Sequence, residues 1–315
     1  MTDFSRSFLV PPTERELEPG PVPSFSVLVA AYQVERFVAA ALESALAQTV
    51  APYEIVVCND GSTDGTARVL EPFRDRIVYL RQNNGGESSA KNAAARAASG
   101  EFVVLLDADD LYLPKRLEAL GQLASVRPDL DIVTTDAFVE IGGERARRVY
   151  ADASRFELGN QRRAILGGNF IHGHCAIRRE TFLTAGGFDE SLHFTADWDC
   201  WIRLILGGAR VGLVYEPLAV YRIWEGSLSS SRVAYAEGHV QTLAKTAARD
   251  DLDPDERAVL ERSLASRRRT VALTAARMAS ARARFAAPTL AGAYRPVAPN
   301  PLSAGRLGMV RTTAT

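Results

Sequence analysis

The sequence predicts an α/β fold, a doubly wound and mostly parallel sheet flanked by helices, and three observations carry that expectation. Uninterrupted apolar runs of strand length recur along the first third of the chain. Between them the apolar spacing changes to that of a helix, as in Phe37, Ala41, Leu42, Ala45 and Leu46. Polar residues gather just after the strands, where such sheets place their ligands. Strands that are apolar throughout mark a sheet covered on both faces, and right-handed crossovers make it doubly wound.

Taken in order, residues 11–23 (PPTERELEPGPVP) are rich in Pro and Glu, so residues 1–23 are expected to form a flexible N-terminal arm. The first strand is FSVLVAA, Phe25 to Ala31, followed by a helix. YEIVVC (Tyr53 to Cys58), a helix from about Ser62 to Phe73, and RIVYL (Arg76 to Leu80) repeat the unit. A helix from about Ser88 to Ser99 is stopped by Gly100, and EFVVLL (Glu101 to Leu106) follows. Beyond Leu113, DIVTTDAFVEIGG reads as a strand with a hairpin edge, and Trp198 to Leu206 as a buried helix. Asp253, Pro254 and Glu256 form a capping-box helix start, and a long Arg-rich helix runs from there to about Phe285. The expected division is a domain over 24–235, in halves 24–112 and 113–235, and a helical C-terminal extension over 236–315.

Composition narrows the function classes. The 315 residues are 47% hydrophobic and 24% charged, as in ordinary globular protein. A net charge of -1 supplies no whole-molecule field for nucleic acid, so none is expected as a partner. Three scattered cysteines, Cys58, Cys175 and Cys200, give neither a disulfide framework nor a CxxC pair, which fits the cytosol. Neither a signal peptide nor a membrane-spanning run is apparent.

Two loops carry chemistry. Asn59-Asp60-Gly61-Ser62 follows a buried strand and places a carboxylate beside a helix N-terminus. A turn and a helix cap would use the same residues. Asp107-Ala108-Asp109-Asp110 ends the most hydrophobic strand with three carboxylates that repel one another. Such oxygen ligands suit Mg²⁺ or Mn²⁺ holding a substrate diphosphate. A helix cap accounts for one of the three.

In order and spacing, SVLVAAYQVERF, IVVCNDGSTDGT, NNGGESSAKNAAARAASGEFVVLLDADD and GGFDESLHFTADWDCWIRL resemble family 2 glycosyltransferases of the GT-A fold, from about Phe25 to Ser231. The resemblance implies non-processive, inverting hexosyl transfer from a nucleotide diphosphate sugar, with a divalent metal, in polysaccharide or glycoconjugate biosynthesis. It makes 24–112 the nucleotide-binding half and 113–235 the acceptor-binding half. It implies that Asp60 binds the base, that Ala30, Ala31 and Tyr32 line base and ribose, and that Glu35 borders the same site. Asn84 and Lys91 fall at polar and basic nucleotide contacts, Asp107 and Ala108 at the ribose, Asp109 at the metal, and Asp197 at the general base. Asp199, two residues on, points about 200° away on a helix, so only one of the two can face the site. The implied acceptor is a carbohydrate, a lipid-linked molecule or a small molecule.

This chain departs from the family pattern at several positions. Ala30 replaces Pro, Gln33 Asn, Lys91 Arg, Ala196 Glu, and Trp224 a His near the metal. Lys91 exchanges a bidentate fork for a point charge. His172, His174 and Cys175 lack the second ligand pair of a zinc site and read as acceptor-pocket or core positions. His193 reads as an acceptor contact or a surface residue. From Asp251 to Thr315, eleven Arg and no Lys stand against five acidic residues, a charge of +6. That extension can lie on an anionic membrane surface or pack on the domain, and a homodimer stays open. A haloacid-dehalogenase-type phosphatase would explain DADD alone, with NDGSTDGT and ADWD unused, and a nucleotide-sugar-binding protein without catalysis is the remaining alternative. A processive synthase is disfavoured by the absence of QxxRW.

Overall fold

The computed structural model describes residues 2–13, 16–224 and 232–286. In chain order the elements are β1 (Phe8–Leu9), β2 (Phe25–Ala31), α1 (Val38–Leu46), β3 (Glu54–Asn59), α2 (Thr66–Leu70), β4 (Val78–Arg81), α3 (Glu87–Ala97), β5 (Phe102–Leu105), β6 (Leu111–Tyr112) and α4 (Arg116–Val126). Then come β7 (Ile132–Ile141), β8 (Glu144–Arg148), α5 (Gln161–Gly167), β9 (Ala176–Arg178), α6 (Arg179–Thr184), α7 (Ala196–Leu206), β10 (Val211–Ile223), α8 (Arg232–Ala247) and α9 (Pro254–Ala286). The sheet runs β1-β10-β7-β9-β5-β2-β3-β4, with β6 beside β10 and β8 beside β7.

β2, β3, β4 and β5 pair in parallel, so all four open their carboxyl ends along one edge. β9 runs antiparallel between β5 and β7, and it joins this half to the parallel pair β7 and β10. Alternation along each strand divides the core between two faces. Leu28, Val56, Cys58, Val103 and Leu105 join the helices α3, α5, α7 and α8 on one side. Val27, Val29, Ile55, Val57, Phe102 and Val104 meet α1 and α4 on the other. The continuous apolar runs are therefore strands buried on both faces, as expected. The β7–β8 hairpin turns through Gly142 and Gly143, both at positive φ (62° and 87°), where a side chain would be strained.

Three expectations need correction. The N-terminal arm is not free along its length: Phe4 is buried, and Phe8 and Leu9 pair antiparallel with Val214 and Leu213 of β10. Phe4, Phe8 and Leu9 supply apolar surface that the Pro- and Glu-rich composition of 11–23 conceals. The boundary at 235/236 falls inside α8, and a compact unit extends to Thr274. Leu243, Leu252, Leu260 and Leu264 belong to the core on the α7 face. The helix expected from Ser62 to Phe73 is shorter, because Pro72 enters a 3-10 turn over Glu71–Arg76. The capping box at α9 forms: the Asp253 amide donates to Glu256 Oε2 (3.1 Å) and the Glu256 amide to Asp253 Oδ1 (2.7 Å). Among the described residues, no helix is long and apolar enough to cross a membrane.

Leu260 is 1% exposed and Leu273 61%. Urea unfolding of Leu260→Ala should show a loss of about 2–5 kcal/mol. Leu273→Ala should stay within about 0.5 kcal/mol of the parent.

Candidate active site

The loops after β2, β3, β4 and β5 are tied to one another before any ligand is considered. Ala31 ends β2 buried, and its carbonyl accepts from the Asp60 amide (2.9 Å). Gln33 lies at φ 55°, a left-handed position that Asn occupies more easily. Its Oε1 compensates by accepting from the amides of Thr63 (2.9 Å) and Asp64 (3.0 Å). Glu35 accepts from the Gly65 amide at 2.7 Å, so this expected site residue is engaged in holding the loop. Ala30 is half-buried and Tyr32, 48% exposed, presents its ring to solvent at the same edge.

Asp60 stands directly after β3 and is 1% exposed. Its carboxylate accepts from Gln82 Nε2 (2.7 Å) and the amides of Gly85 (2.9 Å) and Gly86 (2.8 Å). Those bonds organise the 82–86 loop, and a carboxylate's roughly four lone-pair positions leave one for a ligand N–H. Gly61 has φ 73°, and a Cβ there would lie 2.8 Å from the Asn84 amide nitrogen. Asn84 itself is exposed.

Lys91, on α3, reaches Asp107 Oδ1 at 2.6 Å and also pairs with Glu87 one turn back. Burial lowers the pKa of the Lys91 ammonium, but Asp107 and Glu87 outweigh it and hold it well above its ordinary value. Burial likewise raises Asp107, but Lys91 and His174 win and hold it down, at about 2. Ala108 is buried, and the chain turns so that Asp109 and Asp110 point to different partners. Asp110 is fully buried; its Oδ2 lies 2.5 Å from His174 Nε2 and its Oδ1 accepts from the Arg222 amide at 2.7 Å.

Asp109 has no ion-pair partner among the described residues. Its Oδ2 accepts from Trp224 Nε1 at 2.8 Å, and Trp224 packs on Phe37 with ring centroids 4.9 Å apart. Burial, Asp110 and Asp107 push its pKa up to about 6, against the Trp224 N–H. An uncompensated carboxylate crowded by two others fits a cation. Donor atoms of Asp107, Asp110 and His174 also lie within 4.8 Å of one another, but Asp110 and His174 are spent on each other. The oxygens left for a divalent ion are those of Asp109 and Oδ2 of Asp107, which lies 3.7 Å from His174 Nε2.

Asp197 lies in the first turn of α7, half-buried, and accepts from Asn169 Nδ2 at 3.1 Å. Burial raises it to about 6; the Trp198 amide and Lys91 oppose this, while Glu87 and Asp107 add to it. Its electrostatic neighbours are thus the same groups that line the donor half. Asp199 faces away, paired with Arg203 and Lys245, each at 2.8 Å. His174 and Cys175 are core residues, His172 is half-buried with its ring 4.6 Å from that of His174, and His193 is exposed.

Three contributors escape a sequence reading: Gln82, Asn169 and Arg116. Arg116 is fully buried beneath the DADD loop, where it donates to Thr135 Oγ1 and the His174 carbonyl and lies over the Tyr112 ring. An Arg in the first turn of a surface-like helix carries no signal of this. For Asn169 the signal is its place after Gly167-Gly168, in a loop returning to α7.

A helix-flanked sheet whose carboxylate-bearing loops converge at the carboxyl ends defines the GT-A class of nucleotide-sugar transferases. Residues 26–185 match the family described as Glycosyl transferase family 2. The chain belongs to that family. It is 31% identical over 224 residues to an uncharacterized glycosyltransferase of Rickettsia typhi, covering 68% of this chain and 69% of that one. Of a second relative, from Rickettsia prowazekii, it spans 61% at 30% identity. The mannosyltransferase PcManGT of Pyrobaculum calidifontis, in complex with GDP-Man and Mn²⁺, shares the fold with TM-score 0.61 at 22% identity, over 86% of this chain and 79% of that one. S. aureus TarS in complex with UDP-GlcNAc shares it with TM-score 0.59 at 22% identity, over 77% and 71%.

Gly61→Ala should lower stability by about 1–3 kcal/mol, because it strains the backbone and drives a methyl into the 82–86 loop. Calorimetry should show nucleoside diphosphate binding weakened with it, and unaltered binding would separate this loop from the nucleotide site.

Proposed function

We propose that the chain transfers a sugar from a nucleotide diphosphate donor to an acceptor hydroxyl with inversion, using Asp197 as the general base. The observation that carries the reading is the position of Asp197. It is the one carboxylate of α7 left without a cation partner, and its charge couples to Lys91, Glu87 and Asp107. UDP-GlcNAc and GDP-Man in the structural neighbours support a UDP- or GDP-linked donor. Asp60 and the loops it ties would hold the base, with Ala30, Ala31, Tyr32, Glu35 and Asn84 around base and ribose. Asp107 and Ala108 would meet the ribose, and Lys91 the diphosphate.

In the step proposed, an Asp197 oxygen takes the acceptor hydroxyl proton. The freed oxygen forms a bond to the anomeric carbon from the face opposite the diphosphate. The carbon–oxygen bond to the diphosphate breaks, and that electron pair leaves with the nucleotide. Asp109, with Asp107 beside it, would hold a divalent cation, whose positive charge would offset that of the leaving diphosphate. Mn²⁺ in the mannosyltransferase neighbour supports this choice of ion. Asn169 holds the base in place, and burial keeps its proton affinity near the working range.

Asp197 must be ionised to accept a proton, so kcat/KM should rise with pH through about 6 and level above it. Asp197→Asn should lower transfer by at least ~10²-fold while leaving nucleotide binding intact. Full activity of that variant, or a retained anomeric configuration in the product, would overturn the reading. Separately, Asp109→Ala should abolish the Mn²⁺ dependence of UDP or GDP binding measured by calorimetry. A variant that binds as the parent does, with and without EDTA, removes Asp109 from the metal.

A further inference from the structure

Arg267, on α9, differs from the arginines of α5, α7 and the α8–α9 connection in what its guanidinium meets. Arg162 pairs with Glu256, Arg163 with Asp255, Arg203 with Asp199 and Arg249 with Asp251. At the helical neighbours of Arg267, three and four residues away, stand Ser263, Leu264, Thr270 and Val271, none acidic. Among the described residues its guanidinium has no carboxylate partner and lies instead over the Trp198 ring, 5.8 Å from the centroid. Trp198 follows Asp197 directly, and consecutive residues on a helix diverge by about 100°. The cation therefore lies on the neighbour of Asp197, and among the described residues no ion pair joins Arg267 to Asp197.

Around that cation stand Gly168, His239 and Tyr235. A Cβ on Gly168 would lie 3.9 Å from Arg267 Nη2, and the next residue, Asn169, donates to Asp197. His239 packs edge-on against Trp198 at 5.0 Å and against Tyr235 at 4.5 Å. Tyr235 is 39% exposed and offers a ring face at this position. Burial and then the Asp197 charge raise the Tyr235 hydroxyl, while Arg267 opposes them, so base and guanidinium act on one phenol from two sides. Burial and then Arg267 lower His239 to about 4, which leaves it neutral near pH 7.

We propose that Arg267, Tyr235 and His239 form an acceptor subsite beside Asp197 that receives a phosphate ester carried by the acceptor. This rests on the transferase reading given above. The guanidinium presents five N–H donors in a fork that matches a phosphate, and Tyr235 supplies an apolar face for a sugar ring. Repulsion from Asp197 keeps the anionic group at the Arg267 end, which leaves the acceptor hydroxyl at the base.

The test uses the full chain saturated with UDP or GDP and Mn²⁺, so that the donor diphosphate position is filled, and titrates inorganic phosphate and glycerol phosphate by calorimetry. Binding is expected, weakened at least ~10-fold by Arg267→Gln, a loss typical of a charged hydrogen bond, and partly restored in Arg267→Lys. Nucleotide binding should be equal in all three proteins. Undetectable phosphate binding, or equal binding by Arg267→Gln, overturns the subsite. Failure of the parent to bind either nucleotide would instead count against the transferase reading, and the phosphate titration still decides the subsite. Vesicles containing phosphatidic acid, run beside glycerol phosphate, tell a lipid-borne phosphate from a soluble one; Arg267-dependent binding of either supports the proposal.

Discussion

The buried carboxylate of Asp110 holds the two halves of the molecule in register. It leaves the end of β5, meets His174 ahead of β9, and accepts from the Arg222 amide at the end of β10. Burial raises its pKa and His174 opposes that, so each of the pair is costly without the other. Loss of one partner of such a pair typically costs about 3–5 kcal/mol. Because β10 is anchored here, Trp224 two residues later reaches Asp109, and Arg222 Nε donates to the Asp109 carbonyl. The orientation of the most exposed DADD carboxylate thus descends from the most buried one.

Five aspartates that look alike in sequence divide by environment into structural and available groups. Asp110 and Asp199 are buried against His174, Arg203 and Lys245, and their hydrogen-bonding capacity is spent on the fold. Asp107 is held ionised by Lys91. Burial raises Asp109 and Asp197 each to about 6, and among the described residues no cation pairs with either. A charge left uncompensated in a partly buried place destabilises the free protein and finds its partner in a ligand or in a proton. The two raised carboxylates come from different parts of the chain, the loop after β5 and the first turn of α7.

The parallel half of the fold was legible because strands buried on both faces leave long apolar runs, and FSVLVAA, EIVVC and FVVL sit within a residue or two of expectation. The NDGS and DADD loops were legible because a carboxylate after such a run has few structural reasons to be there. What could not be read is whatever long-range packing decides. Asp60 spends three bonds on the 82–86 loop before meeting any ligand. Glu35 caps its neighbour loop, and Arg116 is buried where its helix pattern suggests solvent. Ile132 to Arg178 mixes parallel and antiparallel pairings whose register no periodicity encodes. The N-terminal arm was misread because two short apolar stretches were outweighed by a Pro-rich one.

Composition and packing single out different parts of the C-terminal extension. By charge alone, eleven arginines suggest an anionic surface as partner. α8, which precedes the Arg-rich stretch, closes over the first turn of α7. Thr195, which precedes that helix, shares a 2.7 Å hydrogen bond with Thr242, and Lys245 spans Asp189 (2.6 Å) and Asp199 (2.8 Å). A Cβ on Gly238 would stand only 3.1 Å from the Phe194 Cβ, so glycine lets the two segments approach this closely. Asp197 lies between the residues clamped in this way. The first turn of α7 is therefore held by α8 on one side, and Asp197 itself by Asn169 on the other.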